Sequence, residues 1–542
     1  MLTPQKSFAA QRDAFAWDIP GDYAIAWDTC EKWAQAEPDR IAMVLVDEAR
    51  DVTYRELSDA SARLAGLLAA RGVGRGDRVG VLLPQRYETA LAHLAALRLG
   101  AVSIPLFSLF GADALTHRMR DSGAVAVITD AGGAAKLAAL RDALPDLHTV
   151  LSCDGPQPGA EDMHALLPDA EPAPLAELGA EDPAFLIYTS GTTGNPKGAL
   201  HAQRVLLGHL PGVEISHDFL GQEGDRIWTP ADWAWIGGLL DVLFPALALG
   251  VPVVTKRFDK FTGEAAFELM REHRVRNAFL PPTALKMMYR VPDAESYGLR
   301  LRSVASGGEP LGAELIGWGQ RVFGATINEF YGQTECNMIV SSCAALEPAT
   351  PGTMGRAVPG HDVRVLSPGG EERAPGQEGA ICVASPDPVM FLGYWNNPQA
   401  TEEKFLTDPQ GRRWLVTGDR GVLDDDGKIR FLGRDDDIIS SAGYRIGPGE
   451  VEDCLLTHPA IAMAGVVGKP DALRGHVVAA YVTLAPGFAA SDTLADEIAL
   501  HVKTRLAAHE YPRVIRFIEE MPMTTTGKIV RRTLRQMAEA EA

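Results

Sequence analysis

The stretch Tyr188-Thr-Ser-Gly-Thr-Thr-Gly-Asn-Pro-Lys-Gly198 holds the densest set of groups able to do chemistry. Phe185-Leu-Ile-Tyr188 before it is a short apolar run, the pattern of a buried strand. After it, Ala199-Leu200 and Val205-Leu206-Leu207 predict that the chain turns helical. Between these flanks, hydroxyls and glycines replace apolar side chains, and Lys197 follows. Such a loop cannot pack a core. It can bring backbone N–H groups, the hydroxyls of Thr189, Ser190, Thr192 and Thr193, and one ammonium against a polyanion. Gly191 lets the backbone come close. The Walker pattern is absent, because Lys197 is followed by glycine. The plainer alternative is a Gly/Ser/Thr surface turn.

Four later stretches carry further candidates. Val304-Ala-Ser-Gly-Gly-Glu-Pro310 is a strand running into a glycine turn, which suits a flat ligand against bare backbone. In Phe330-Tyr-Gly-Gln-Thr-Glu335 an aromatic ring, a hydroxyl and a carboxylate follow in close order. Glu335 could equally be a charge at a helix N-terminus. Thr417-Gly-Asp419 precedes a hairpin over 421–432. Met521-Pro-Met-Thr-Thr-Thr-Gly-Lys528 ends on a lysine that, alone, reads as an ordinary surface residue on a turn.

In this order the stretches resemble the motifs of the ATP-dependent adenylate-forming enzymes: acyl- and aryl-CoA synthetases, peptide-synthetase adenylation domains and firefly luciferase. The resemblance spans most of the chain. It implies a phosphate loop at Thr189, Ser190, Gly191, Thr192, Thr193 and Lys197, and adenine and ribose contacts from Gly308, Glu309 and Pro310. It implies an adenine-facing Tyr331, with Gly332 and Gln333 beside the nucleotide, Thr334 on phosphate, and Glu335 on Mg²⁺. Mg²⁺ typically takes one or two carboxylates plus phosphate oxygens, so one glutamate suffices. Asp419 would hold the ribose hydroxyls, since a carboxylate can accept from two O–H groups. Arg434 would reach ribose or phosphates, Arg445 phosphates in one domain orientation, and Gly443 would border the thiol channel. Asp436 matches the family's hinge and Lys528 its catalytic lysine. Cys336 stands where the family often has threonine, and reads best as a small packing residue.

The implied activity joins a carboxylic acid to coenzyme A at the expense of ATP, through an acyl-adenylate. Motif matching lines the acyl pocket with Trp235, Ile236, Gly237, Gly307 and Gly332. Acetate-specific relatives carry tryptophan at the position of Gly332 and a larger aliphatic residue at that of Gly307. Glycine at both predicts an acid larger than acetate: short-to-medium, branched, or a small aromatic ring. An aryl-CoA ligase and an enzyme that loads a carrier protein are the competing readings. Pro522 to Lys528 also resembles the site at which protein acetyltransferases silence bacterial acyl-CoA synthetases.

These residues need a scaffold. At 542 residues the chain exceeds one ordinary core, and two or more domains are expected. A net charge of −20 disfavours nucleic acid and anionic membranes as partners. Six cysteines form no C-x-x-C pair, no signal core opens the chain, and no run is long enough to span a membrane, so the cytoplasm is the default. Residues 1–50 are expected to wrap over the main body. A helix is expected from Asp51, with Leu57, Leu64, Leu67 and Leu68 on its buried face. Strands at 79–83, 102–106 and 124–129 alternate with a helix over 88–99, implying a parallel sheet covered on both faces. Residues 153–180 read as a surface connection. The expected organisation is an α/β fold, with a large domain over 1–433, a hinge at 434–437, and a small mobile α+β domain over 438–542.

Overall fold

The computed structural model describes residues 2–541 except 190–195, 310, 436, 442–443, 472–473, 507–509 and 525–527, and leaves out the side chains of 440, 444, 445 and 450. By compactness the chain divides into one unit of residues 1–362 with 384–405, and a second of 363–383 with 406–542.

The first unit is built on two large sheets. The eight-stranded one runs, in spatial order, Gly393–Tyr394, Gly198–Ala202, Pro183–Tyr188, Val102–Pro105, Arg78–Leu82, Ala126–Thr129, Thr149–Ser152, Glu161–Asp162. It is parallel from Pro183–Tyr188 onward and antiparallel at its first two pairings. The nine-stranded sheet has a parallel centre from Ile41–Leu45 to Ile327–Gln333 and antiparallel edges at Arg50–Thr53, Cys336–Ser341 and Arg356–Ala357. Strands of near-continuous apolar residues, buried on both faces, are what a helix-covered parallel sheet demands.

The helices Tyr87–Arg98 and Val205–Ser216 are buried almost all round, and they share one core with Leu243, Phe244 and Phe185. Each fully buried Leu or Phe there contributes roughly 1.5–3 kcal/mol relative to exposure. Val205–Ser216 has no polar face at all, so its place is dictated by what surrounds it rather than by amphipathicity.

Two sequence expectations change. Residues 1–50 do not simply wrap: Ile41–Leu45 is an inner strand of the nine-stranded sheet, and Tyr23, Ile25 and Cys30 lie in the core. Asp51 does not open a helix. Arg50–Thr53 pairs antiparallel with Ile41–Leu45, and the helix begins at Tyr54. Thr53 accepts from the Glu56 N–H while the Glu56 carboxylate accepts from the Thr53 N–H, a reciprocal cap that places the boundary there.

The second unit holds two five-stranded sheets. The first includes Val363–Leu366, Glu378–Ser385, Arg413–Leu423 and Ile429–Arg434. The second begins at Ile439–Ser441 and is centred on Gly475–Leu484. The chain passes from one to the other between Arg434 and Ile439. Along Gly475–Leu484 the side chains alternate. Val478, Ala480 and Val482 pack with Val451, Leu455, Ile498 and Val502, while Ala479 and Tyr481 pack with Leu534 and Ala538. Period-two alternation thus puts helices Pro448–Leu456 and Asp492–Arg505 on one face and Arg531–Ala540 on the other.

Candidate functional site

The Thr/Gly stretch is a hairpin loop. Pro183–Tyr188 and Gly198–Ala202 pair antiparallel with Tyr188 opposite Gly198, and the Thr189 N–H donates to the Lys197 carbonyl at 2.9 Å. The expected helical turn at Ala199 is therefore a strand, because both its edges are paired: Gly393–Tyr394 lies on its other side. Helix starts only at Val205. Ser190, Gly191, Thr192 and Thr193 lie outside the described residues.

The loop's flanks are braced from beneath by the helix Ala112–Ser122. His117 Nε2 is 3.0 Å from the Pro196 carbonyl, and the Tyr188 hydroxyl donates to Asp121 at 2.6 Å. Trp395 Nε1 donates to the Asp121 carbonyl at 3.0 Å. Burial lowers the pKa of His201 to about 3, which leaves it neutral.

Glu335 sits in a second hairpin. Ile327–Gln333 and Cys336–Ser341 pair antiparallel with Gln333 opposite Cys336, leaving Thr334 and Glu335 as the turn. No helix starts here, so the helix N-terminal explanation of Glu335 falls away. A register shift between Tyr331 and Gln333 falls at Gly332, where an added Cβ would lie 2.3 Å from the Met338 nitrogen. Met338 itself has φ +53, a left-handed conformation costing on the order of 1–3 kcal/mol for a side-chain-bearing residue. Asn337 donates to Asp241 at 2.5 Å, and full burial holds the Asp241 carboxyl well above its usual range. The Cys336 thiol is likewise raised, first by burial and then by Asp387 and Glu335, which makes it a neutral packing group.

The Glu335 carboxylate is buried to 8% exposure, and the Tyr394 hydroxyl donates to its Oε1. Lys197 Nζ stands 4.9 Å from the centroid of the same tyrosine ring. One phenol therefore joins the two charged candidates. Among the described residues no group of three or more His, Cys, Asp or Glu could hold a metal ion. The candidate donor here is the Glu335 carboxylate. That fits Mg²⁺, which fills most of its shell with water and phosphate oxygens, and does not fit a metal caged by protein ligands.

Ser303–Gly307 runs parallel to Ile327–Gln333 with Gly307 beside Phe330. Gly308 follows at φ +100, a conformation that glycine reaches readily. The Glu329 carboxylate accepts from the Leu311 N–H at 3.0 Å and so holds the far side of that turn, next to Glu309. Pro310 lies outside the described residues. Trp235, Phe279 and Phe330 form a run of rings with centroids 5.8 and 5.2 Å apart. An added Cβ at Gly307 would meet the Phe330 ring at 2.5 Å, and one at Gly237 the Trp235 ring at 2.5 Å. The glycines therefore make room for the protein's own rings. Ile236 and Gly237 open the short helix after Trp235, and Trp233 is a fully buried core residue.

In the second unit, Asp419 and Arg434 are opposite one another across the hairpin of Arg413–Leu423 and Ile429–Arg434. Asp419 is buried, and its N–H donates to Thr417 Oγ1 at 3.1 Å. Lys528 closes another tight turn. The Thr524 N–H donates to its carbonyl at 2.7 Å, and its own N–H donates to Thr524 Oγ1 at 3.0 Å. Asp436 and Gly443 lie outside the described residues, and of Arg445 only the strand Tyr444–Ile446 is described. Asp437, next to the hinge position, pairs with Arg535 at 2.6 Å and Arg531 at 3.6 Å. Sequence reasoning missed Tyr394, Asp121 and His117. Only the aromatic density of Phe391-Leu-Gly-Tyr-Trp395 could have drawn attention to Tyr394.

The family model for AMP-binding enzymes matches residues 30–395, and that for the AMP-binding enzyme C-terminal domain matches residues 450–528. The chain is 33% identical over 526 residues to an acetyl-coenzyme A synthetase of Bacillus subtilis, covering 95% of this chain and 90% of that one. It is 34% identical over 536 residues to the human mitochondrial acyl-coenzyme A synthetase ACSM4, covering 95% and 91%. Among solved structures, the anthranilate CoA ligase AuaEII in complex with anthranoyl-AMP superposes with a TM-score of 0.87 at 27% identity, over 96% of this chain and 98% of that one. ATP-bound MatB from Rhodopseudomonas palustris gives 0.84 at 26%, over 95% and 99%. With its Thr/Gly loop, its Glu335 hairpin and these relatives along almost its whole length, the chain belongs to the AMP-binding enzymes and is an AMP-forming acid–thiol ligase that uses ATP and coenzyme A.

Proposed function

We propose that this ligase activates a carboxylic acid larger than acetate, short-to-medium or branched, and passes it to coenzyme A. Activation at ATP is carried by one observation: Lys197 and Glu335, from hairpins on different sheets, meet on Tyr394, while the size of the acid is read from glycine at 307 and 332. A cation and a lone carboxylate side by side suit a triphosphate with its metal. In this reading Lys197 and the loop from Thr189 hold the phosphates, and Thr334 adds a hydroxyl. Tyr331 faces adenine, with Gly332, Gln333, Gly308, Glu309 and Pro310 around it. Glu335 holds Mg²⁺, which when bound neutralises phosphate charge. Asp419 and Arg434, adjacent across their hairpin, hold the ribose side.

The substrate carboxylate attacks the α-phosphorus, forming an O–P bond as the bond to pyrophosphate breaks. No general base is needed, since the carboxylate is already ionised. Lys528 stabilises the developing charge. Turning the small domain at Asp436 then withdraws Lys528 and brings up the Gly443 side, with Arg445 reaching phosphate in one of the two orientations. The thiol attacks the acyl carbon, forming the thioester C–S bond as the bond to AMP breaks. Acetylation of Lys528 by a protein acetyltransferase would remove the charge and stop the first step. We place the enzyme in the cytoplasm. No helix among the described residues is long and apolar enough to cross a membrane.

A second reading, an aryl acid, is favoured by the rings of Trp235, Phe279 and Phe330. Pyrophosphate release with a panel of aliphatic and aromatic acids, with and without coenzyme A, decides between them. Turnover of acetate above all others would overturn both. Pyrophosphate release that ignores coenzyme A would point to carrier loading instead.

A further inference from the structure

The segment Phe391–Trp395 touches both hairpins at once. The Phe391 N–H donates to the Glu335 carbonyl at 2.9 Å, the Leu392 N–H to the Leu200 carbonyl at 2.7 Å, and the Trp395 N–H to the Gly198 carbonyl at 2.7 Å. Tyr394 pairs with Ala199, two residues beyond Lys197. The segment's approach is held by Arg204, whose Nη1 donates to the carbonyls of Asp387, Pro388 and Met390 at 3.2, 2.6 and 3.0 Å. Its exit is held by Thr401, whose Oγ1 accepts from the Tyr394 N–H at 2.8 Å. The backbone of Tyr394 is thus secured on both sides before its side chain does anything.

That side chain has two faces of action. Its hydroxyl, donating to Oε1, orients the Glu335 carboxylate. Its ring lies against the Lys197 ammonium, an attraction between a cation and the negative face of the π-system. Tyr394 is buried to 8% exposure, so water competes little for either contact. We propose that Tyr394 is a positioning residue that sets the metal-binding carboxylate and the phosphate-binding lysine against one another, its hydroxyl serving the first and its ring the second. The inference rests on the assignment of Glu335 to Mg²⁺ and of Lys197 to phosphate.

The two halves separate by substitution. Tyr394→Phe keeps the ring and removes the hydroxyl, whereas Tyr394→Leu removes both. Mn²⁺ serves as a spectroscopic probe in place of Mg²⁺. Its binding in the presence of ATP, counted by electron paramagnetic resonance, is expected to weaken about 10-fold or more in Tyr394→Phe, as for other groups that orient a metal ligand. Metal-free ATP binding, followed by calorimetry, should be unchanged in Tyr394→Phe and weakened about 2- to 5-fold in Tyr394→Leu, the scale of a partly buried cation–π contact. Thermal unfolding run alongside identifies any variant that has lost its fold, and Tyr394→Phe, which only deletes one oxygen, is expected to keep it. Mn²⁺ affinity equal to wild type in Tyr394→Phe, with a weakened Glu335→Gln, overturns the role of the hydroxyl. Unaltered metal-free ATP binding in Tyr394→Leu overturns that of the ring. Unaltered Mn²⁺ affinity in Glu335→Gln overturns the metal assignment beneath the proposal.

Discussion

Lys197 and Lys528 are reached by the same local device on different mounts. Each ends a Thr/Gly turn, and in each a threonine N–H, from Thr189 or Thr524, donates to the lysine carbonyl. Around Lys197 the turn springs from two strands of an eight-stranded sheet and is braced by His117, Asp121, Tyr394 and Trp395. Around Lys528 the described residues show the bridge of Met523 with Ile529, the Val530 N–H donating to the Pro522 carbonyl at 2.9 Å, and Thr524, next to the helix Arg531–Ala540. The lesson is that a short motif can place an ammonium at the tip of a turn by itself. How firmly the turn is held depends on what the rest of the chain packs beside it. In the proposed cycle the first lysine stays on its mount and the second must leave.

Substitutions can break or sharpen this contrast. The largest effect is expected from Lys528→Ala: adenylation, read as pyrophosphate release, should fall about 10²- to 10³-fold, as when an electrostatic stabiliser of a transition state is lost. Transfer to coenzyme A from preformed acyl-adenylate should persist. Equal loss of both half-reactions would erase the distinction between a fixed and a departing lysine. Next is Gly332→Ala, where the new Cβ meets the Met338 nitrogen at 2.3 Å. Overpacking against backbone should destabilise the first unit by about 1–3 kcal/mol, seen as a lower Tm. An unchanged Tm would show that this hairpin gives more readily than its bracing implies.

Thr524→Ala removes the hydroxyl that accepts from the Lys528 N–H, worth about 1 kcal/mol. A several-fold slower adenylation with little change in Tm is expected. Thr189→Ala should displace its lysine less, because the bond it loses, from the Thr189 hydroxyl to the Lys197 carbonyl, is long at 3.4 Å, and His117 and Asp121 still hold the loop's flanks. The reverse order would contradict the difference in mounting. The smallest effect concerns Asp232, whose carboxyl burial lifts to about 6. A carboxyl raised in the folded state is ionised at a cost once pH exceeds its unfolded value, and that cost is complete above the folded one. Asp232→Asn should therefore raise Tm at pH 8 and leave it unchanged below pH 4. Equal gains at both would assign the effect to packing.

Much of the first unit was legible because its signals are local. Apolar runs marked the parallel strands, and the Thr/Gly and Tyr-Gly-x-Thr-Glu stretches marked the turns. The strand nature of Ala199 was not legible, since Gly198-Ala-Leu-His-Ala202 has no alternation and is a strand only because both neighbours pair with it. Glu335 misled for a similar reason. An acidic residue after a threonine is compatible with a helix start, and only the pairing of Gln333 with Cys336 shows a turn. In the small domain the strand Val514–Phe517 and the helix Arg531–Ala540 passed unnoticed.

By itself the order of residues determined which groups are available: hydroxyls, glycines, Lys197, Glu335, Asp419 and Lys528, each within a short motif of its own neighbours. Tertiary structure alone decided that Lys197 and Glu335 share Tyr394, that Phe330 occupies the space beside Gly307, and that Asp241 and His201 are buried behind them. The reason is reach. Turn chemistry acts over a few residues, whereas pairing between distant strands and the loss of water around a side chain exist only once the sheets have assembled.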